Sequence, residues 1–122
     1  VSRRHDISKI YDIAFKQMPV TTPMQTPESY SSYHLYPILI KQSVSKKTQK
    51  QIYNVLIKNG VAANLHYIPV YRHAYYESLG FKPGYCPNAE DYFKSSISIP
   101  MFPSIAADSQ SRVIEIINQE LD

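Results

Sequence analysis

The chain is predicted to adopt an α/β fold, a small sheet of three or four strands with helices packed on it. Three observations carry this. Residues 34–41 and 61–67 alternate as strands. Residues 3–17, 46–59 and those from 107 onward repeat apolar side chains at helical spacing. Pro and Gly punctuate the joins between them.

In the first helix, Ile7, Ile10, Tyr11, Ala14, Phe15 and Met18 form one stripe, and Pro19 stops it. Pro19, Pro23 and Pro27 among Thr and Ser make 19–32 a loop or an extended crossing. In 34–41, Leu35, Pro37 and Leu39 oppose Tyr36, Ile38 and Ile40, so both faces should be covered. Pro37 has no N–H for a ladder, which puts it on an edge strand or at a bulge. Ser45 is expected to cap helix 46–59, with Ile52, Val55 and Leu56 inward and Gly60 in the left-handed position after its end.

Strand 61–67 places Ala63, Leu65 and Tyr67 opposite Asn64 and His66. Strand, helix and strand in this order suggest a parallel crossover. Pro69 removes a donor and biases Ile68 to extended backbone, so the strand should leave the sheet there. A short helix at 71–79 ends at Gly80, and Pro83-Gly84 marks a turn. Residues 88–94 form another short helix, 97–99 a short strand closed by Pro100. Val113, Ile116, Ile117 and Leu121 mark a last helix from about Ala107, with Asp108 near its positive end.

The chain has 122 residues, one domain's worth, and its 43% hydrophobic and 19% charged residues suit an ordinary globular protein. No apolar run approaches the ~20 residues of a membrane span. The start, Val1 to Asp6, has neither a signal peptide's apolar segment nor an initiator Met, as expected of a piece of a longer chain. Cys86 is the only cysteine, so an internal disulfide is excluded and a cytoplasmic home is the default. The net charge of +3 combines a basic half, 1–60, with an acidic half, 61–122. Lys46, Lys47 and Lys50 sit off the apolar stripe, as solvated helix faces do.

Chemistry concentrates in 64–73, where a strand end opens into Tyr71, Arg72, His73, Tyr75 and Tyr76. Strand ends of this kind are where α/β proteins place ligands, although an aromatic loop covering a core has the same pattern. His66, His73 and Cys86 match no zinc spacing. The glycines form no phosphate loop, and no RNP-like segment supports RNA binding. His34 either faces a ligand or is structural, and the structural role is favoured.

Several blocks, in order, carry a resemblance. Arg3-Arg4 leads to Tyr11-Asp12 and Phe15. Then come Ser32-Tyr33-His34-Leu35-Tyr36-Pro37-Ile38-Leu39-Ile40, His66-Tyr67-Ile68-Pro69-Val70, Tyr75-Tyr76 and Leu79-Gly80-Phe81. Cys86-Pro87, Ala89-Glu90-Asp91-Tyr92 and Ser98-Ile99-Pro100-Met101-Phe102-Pro103 close the set. Together they resemble the C-terminal small domain of pyridoxal-phosphate-dependent nucleotide-sugar aminotransferases of the DegT/DnrJ/EryC1/StrS type, which are fold-type I enzymes. Tyr71-x-His73-x-Tyr75-Tyr76 with Gly84-x-Cys86-Pro87 is most similar to the pseudaminic-acid-pathway branch.

The resemblance implies a mainly antiparallel or mixed sheet. It makes residues 1–18 an interdomain helix and 19–122 the α/β body of a longer cytoplasmic, homodimeric enzyme. That enzyme would move an amino group, from glutamate, to a 4-keto nucleotide sugar for surface polysaccharide or glycan synthesis. Pyridoxal phosphate would act as electron sink. The Schiff-base lysine and the carboxylate on the pyridine nitrogen lie in the family's large domain, and no lysine here falls in a matching motif. The chain alone is therefore expected to be inactive, with no catalytic, cofactor or metal residue. His66, Tyr67, Ile68, Pro69, Val70, Tyr71 and His73 are the expected substrate-binding residues. Many relatives carry a histidine where Tyr71 stands, and His73 is either its replacement or a surface residue. Relatives usually cap the last helix with Ser or Thr, where Ala106 stands here. Neither nucleic acid nor membrane is an expected partner. The rival from another class is a non-catalytic α/β binding or regulatory module.

Overall fold

The stripe on the first helix decides where the core begins. In the computed structural model, which describes residues 1–121, α1 runs Ser2–Ala14. Ile7, Tyr11 and Phe15 are buried along one side, while Ile10 and Ile13 turn outward. The helix stops short of residue 17 because the backbone tightens ahead of Pro19, with Met18 N–H bonded to Phe15 O at 3.0 Å. Two residues later the chain enters the sheet as β1, Val20–Thr21.

The sheet has the order β1-β2-β3 and is antiparallel throughout, with β2 at Tyr36–Ile40 and β3 at Ser96–Ile99. The suggested parallel crossover is absent, because β3 and not 61–67 lies beside β2. The strand expected at 61–67 shrinks to one bridge, Asn64 to Ser98. The cause is local: Ala63 N–H bonds back to Val61 O at 2.8 Å, a tight turn that takes this amide out of any ladder. As far as Asn64 the alternation sorts the side chains, with Val61 and Ala63 buried and Asn64 exposed, but Tyr67, expected on the face of Ala63, is exposed because the segment has left the sheet.

Pro37 sits in the central strand with unbroken register, contrary to the edge strand or bulge expected of it. Ser98, its partner, directs both its N–H and its C=O to Asn64 on the far side, at 2.8 and 3.0 Å. Pro37 and Ser98 therefore form a non-hydrogen-bonded pair, and the missing donor of Pro37 points away from β3. On that side β1 pairs only with Leu39 and Ile40, so no acceptor is deprived.

Helix α2, Gln49–Lys58, begins later than expected, and its cap is Thr48 rather than Ser45. Thr48 Oγ1 accepts from Gln51 N–H at 3.3 Å, while Gln51 Oε1 accepts from Thr48 N–H at 2.8 Å, a reciprocal capping box. Ser45 instead closes a small turn on Lys47. At the other end Gly60 takes φ +75°, and Val61 N–H reaches Leu56 O while Gly60 N–H reaches Ile57 O, both at 3.0 Å. That is the Schellman pattern, which needs the left-handed residue glycine supplies.

Helix α5, Ala107–Leu121, packs Val113, Ile116, Ile117 and Leu121 inward. Buried amide side chains stitch the layers. Gln110 donates to Ile7 O of α1 at 2.9 Å, and Gln49 donates to Phe93 O and Ser96 O at 2.8 and 2.7 Å. Tyr11 donates to Pro100 O, and Tyr36 donates to the Asp12 carboxylate. Each satisfies a polar group that would be costly to bury alone.

From 66 to 89 no residue is buried. This excursion holds a single helical turn at Val70–Arg72 and α3 at Ala74–Ser78, so the expected helix 71–79 is split at the extended His73. It returns through α4, Pro87–Ser95, into β3. Among the described residues no helix is long and apolar enough to cross a membrane.

Candidate functional site

The excursion leaves an open cleft of about 500 Å³ beside the Pro37–Ser98 pair. Tyr67 and Pro69 of the excursion and Ala89 and Tyr92 of α4 all line it. Leu35, Pro37, Ser98 and His66 complete the lining. A ring nitrogen of His66, Nδ1, lies 2.9 Å from Ser98 Oγ, which fixes the imidazole and leaves Nε2 as its other polar atom. Ser96 Oγ donates to His66 O at 3.4 Å. The His66–Tyr67 peptide is cis, and the Tyr67 ring is 71% exposed. Beyond His66 a second hollow of about 170 Å³ is lined by His34, Asn64, Pro100 and Phe102, among others, so both histidines border it.

Of the residues expected at a site, His66, Tyr67 and Pro69 thus line the cleft. Ile68 and Val70 are exposed outside its lining. His73 is exposed at the start of α3, with no side-chain cap bond. Tyr71 turns toward α4: its hydroxyl donates to Glu90 Oε1 at 2.5 Å and lies 3.2 Å from both Cys86 N and Cys86 O. Its ring meets Tyr85 edge-on, with centroids 5.5 Å apart.

Glu90, Tyr92 and Ser98 were not singled out by the sequence as site residues. A glutamate in an amphipathic helix is ordinarily solvated, yet Glu90 is only 8% exposed. Its Oε1 also accepts from Gly84 N–H at 2.7 Å, with Arg72 at 3.8 Å, and Lys94 lies 3.9 Å from Oε2. The Tyr71 hydroxyl, Gly84 N–H and the two cations hold the Glu90 carboxyl below the usual carboxylate range. Partial burial and the same contact push the Tyr71 hydroxyl up. The signals available were the Ala89-Glu90-Asp91-Tyr92 block, which carries the resemblance, and the serine alternating with Ile97 and Ile99.

The chain's own side chains do not fit pyridoxal phosphate. Every lysine lies at the surface, even Lys47, which pairs with Glu120 at 2.7 Å. No lysine stands in the cleft where it could condense with an aldehyde. Among the described residues no three His, Cys, Asp or Glu side chains converge on a metal position.

Comparison with known proteins places this geometry. The sequence profile of the DegT/DnrJ/EryC1/StrS aminotransferase family matches residues 1–118. The spore coat polysaccharide biosynthesis protein SpsC of Bacillus subtilis is 31% identical over 118 residues, which cover 94% of this chain and 30% of that protein. The solved structure of Helicobacter pylori PseC, an aminotransferase involved in pseudoaminic acid biosynthesis, superposes with TM-score 0.86 at 30% identity. That match covers 98% of this chain and 32% of PseC. A putative sugar aminotransferase, Spr1654 of Streptococcus pneumoniae, solved in its PMP form, gives TM-score 0.86 at 28% identity, covering 97% of this chain and 30% of that one. The chain therefore spans about a third of the length of these relatives. By sequence and by fold, it belongs to the DegT/DnrJ/EryC1/StrS aminotransferase family.

Proposed function

We propose that the chain is the C-terminal small domain of a longer pyridoxal-phosphate-dependent aminotransferase. Residues 1–18 form the connecting helix and 19–122 the body. The whole enzyme, a cytoplasmic homodimer, transfers an amino group from glutamate to a 4-keto nucleotide sugar during surface-glycan synthesis. The carrying observation is the match of nearly the whole chain to about a third of relatives named for spore coat polysaccharide and pseudoaminic acid biosynthesis. The cofactor supplies the electron sink when bound to the large domain.

This chain's part is to wall the sugar nucleotide. Of His66, Tyr67, Ile68, Pro69, Val70, Tyr71 and His73, the residues expected to bind it, His66, Tyr67 and Pro69 line the cleft that would hold it, and Tyr71 is tied to Glu90 on the neighbouring helix. Two tyrosine rings and two prolines give flat apolar walls, and His66 and Ser98 give polar groups at the base. Such a mixture suits a sugar ring, which has an apolar face and a polar edge.

The test compares the full-length gene product with the isolated chain. The full-length protein should aminate a 4-keto nucleotide sugar with glutamate, and the isolated chain should show no turnover. Amide shifts on adding the nucleotide sugar to the isolated chain should centre on 66–71. Turnover by the isolated chain, or none by the full-length protein, overturns the reading.

A further inference from the structure

The lining of the cleft comes from separate stretches, and no backbone hydrogen bond joins residues 65–85 to the sheet beyond the Asn64 bridge. Side chains do the joining. His66 meets Ser98 at the base. Glu90 stands on α4 between Ala89 and Tyr92, both of which line the cleft. From there its carboxylate holds the Tyr71 hydroxyl, two residues beyond the lining residue Pro69, and the Gly84 amide at the far end of the excursion. Arg72 approaches the same oxygen.

We propose that Glu90 is a positioning residue for the sugar-nucleotide cleft: through Tyr71 it sets the gap between the lining residues Tyr67 and Pro69 of the excursion and Ala89 and Tyr92 of α4. This rests on the function proposed above, because the gap matters only if a ligand seats there. The carboxylate is suited to the task. It is nearly fully covered, in a stretch where nothing else is buried, and several donors converge on it. A glutamate in the first turn of α4 also favours the positive end of that helix, a purely structural service. The two roles separate in kinetics. A helix-terminal role lowers stability and leaves the binding of substrate alone. A positioning role raises KM at nearly constant kcat, because the reacting groups lie elsewhere.

The experiment measures KM and kcat for the keto nucleotide sugar with the full-length protein. Glu90→Ala should raise KM about tenfold while kcat stays within about twofold. Glu90→Gln should recover part of the loss, since its amide oxygen still accepts from Gly84 and Tyr71. Glu90→Ala combined with Tyr71→Phe should raise KM by less than the two single effects together, since both remove the Tyr71–Glu90 contact and Tyr71→Phe removes only its Cys86 contacts besides. Where Glu90→Ala fails to fold, Tyr71→Phe, which deletes one oxygen, carries the test. A second arm needs no turnover: crystal structures of the chain with and without Tyr71→Phe should differ in the Tyr67-to-Tyr92 gap. Unchanged KM in folded variants, additive effects in the double variant, or an unaltered gap overturns the proposal. A wild-type protein that ignores keto sugars defeats only the proposed function, and the gap measurement still decides the role of Glu90.

Discussion

A covered carboxylate is tolerable only while its charge is answered, and at Glu90 the answer depends on pH. The groups facing it are the Tyr71 hydroxyl, the Gly84 N–H, Arg72 and Lys94. Its folded pKa lies below the ordinary value of 4.5. Its contribution to stability is therefore fully present above that ordinary value and disappears as pH falls through the depressed one. Tyr71 has the opposite sign: its raised pKa keeps the contact intact below the ordinary 10.0 and weakens it only as pH rises beyond that. The Tyr71–Glu90 contact thus spans the whole neutral range. Thermal unfolding of the wild type and of Glu90→Gln, compared from pH 7 down to about 3, should show the wild type more stable at neutrality and the difference closing in acid. A difference constant with pH would mean the charge is not what stabilises this contact. Tyr11 and Tyr36 differ in kind. Burial pushes both hydroxyls far up, with Asp12 adding to the effect on Tyr36, so both stay protonated donors throughout this range.

At the scale of elements, α2 shows how near a local reading comes and where it slips. Ser45 and Thr48 are both plausible caps by residue type. What separates them is Gln51, three residues after Thr48, which completes the reciprocal box. Thr48→Ala should therefore cost about 0.5–2 kcal/mol of stability, while Ser45→Ala should stay within about 0.5 kcal/mol. Equal losses in denaturant melts would return the cap to Ser45. The Gly60 terminus was legible because a left-handed residue leaves a mark in sequence. Segment 61–67 was half legible. Its alternation reports burial at Val61 and Ala63 but not at the exposed Tyr67, and it says nothing about which strand accepts the backbone. Here the Ala63 amide turns back on Val61, and pairing survives only at Asn64. Pro37 misleads for the same reason. Sequence shows the missing donor but not that the neighbouring strand has already ended.

For the whole molecule, the part of the cleft lining that the sequence singles out is the contiguous part. His66, Tyr67 and Pro69 come from one stretch, whereas Ala89, Tyr92 and Ser98 reach the cleft only through the fold. The same division sets how the molecule should open. The body has buried side chains from α1, all three strands, α2 and α5, including Ile7, Val20, Ile38, Leu56, Ile97 and Ile117. The excursion has none between 66 and 89, and its own order rests on edge-on rings: Tyr71 with Tyr85, Phe81 with Tyr85 and Tyr75 with Tyr76. Regions with little buried apolar area open locally, without waiting for global unfolding. Amide exchange should therefore be about ten- to a hundredfold faster for the bonded amides of α3, such as Tyr76 and Glu77, than for those of β2 and α5. Under the proposed function, saturating nucleotide sugar should slow exchange in the excursion selectively, because a ligand held in the cleft stabilises the closed form over the open one. Equal protection of α3 and β2 in the free chain would show that the excursion unfolds only with the body, and that its small aromatic cluster is coupled to the core more tightly than its exposure implies.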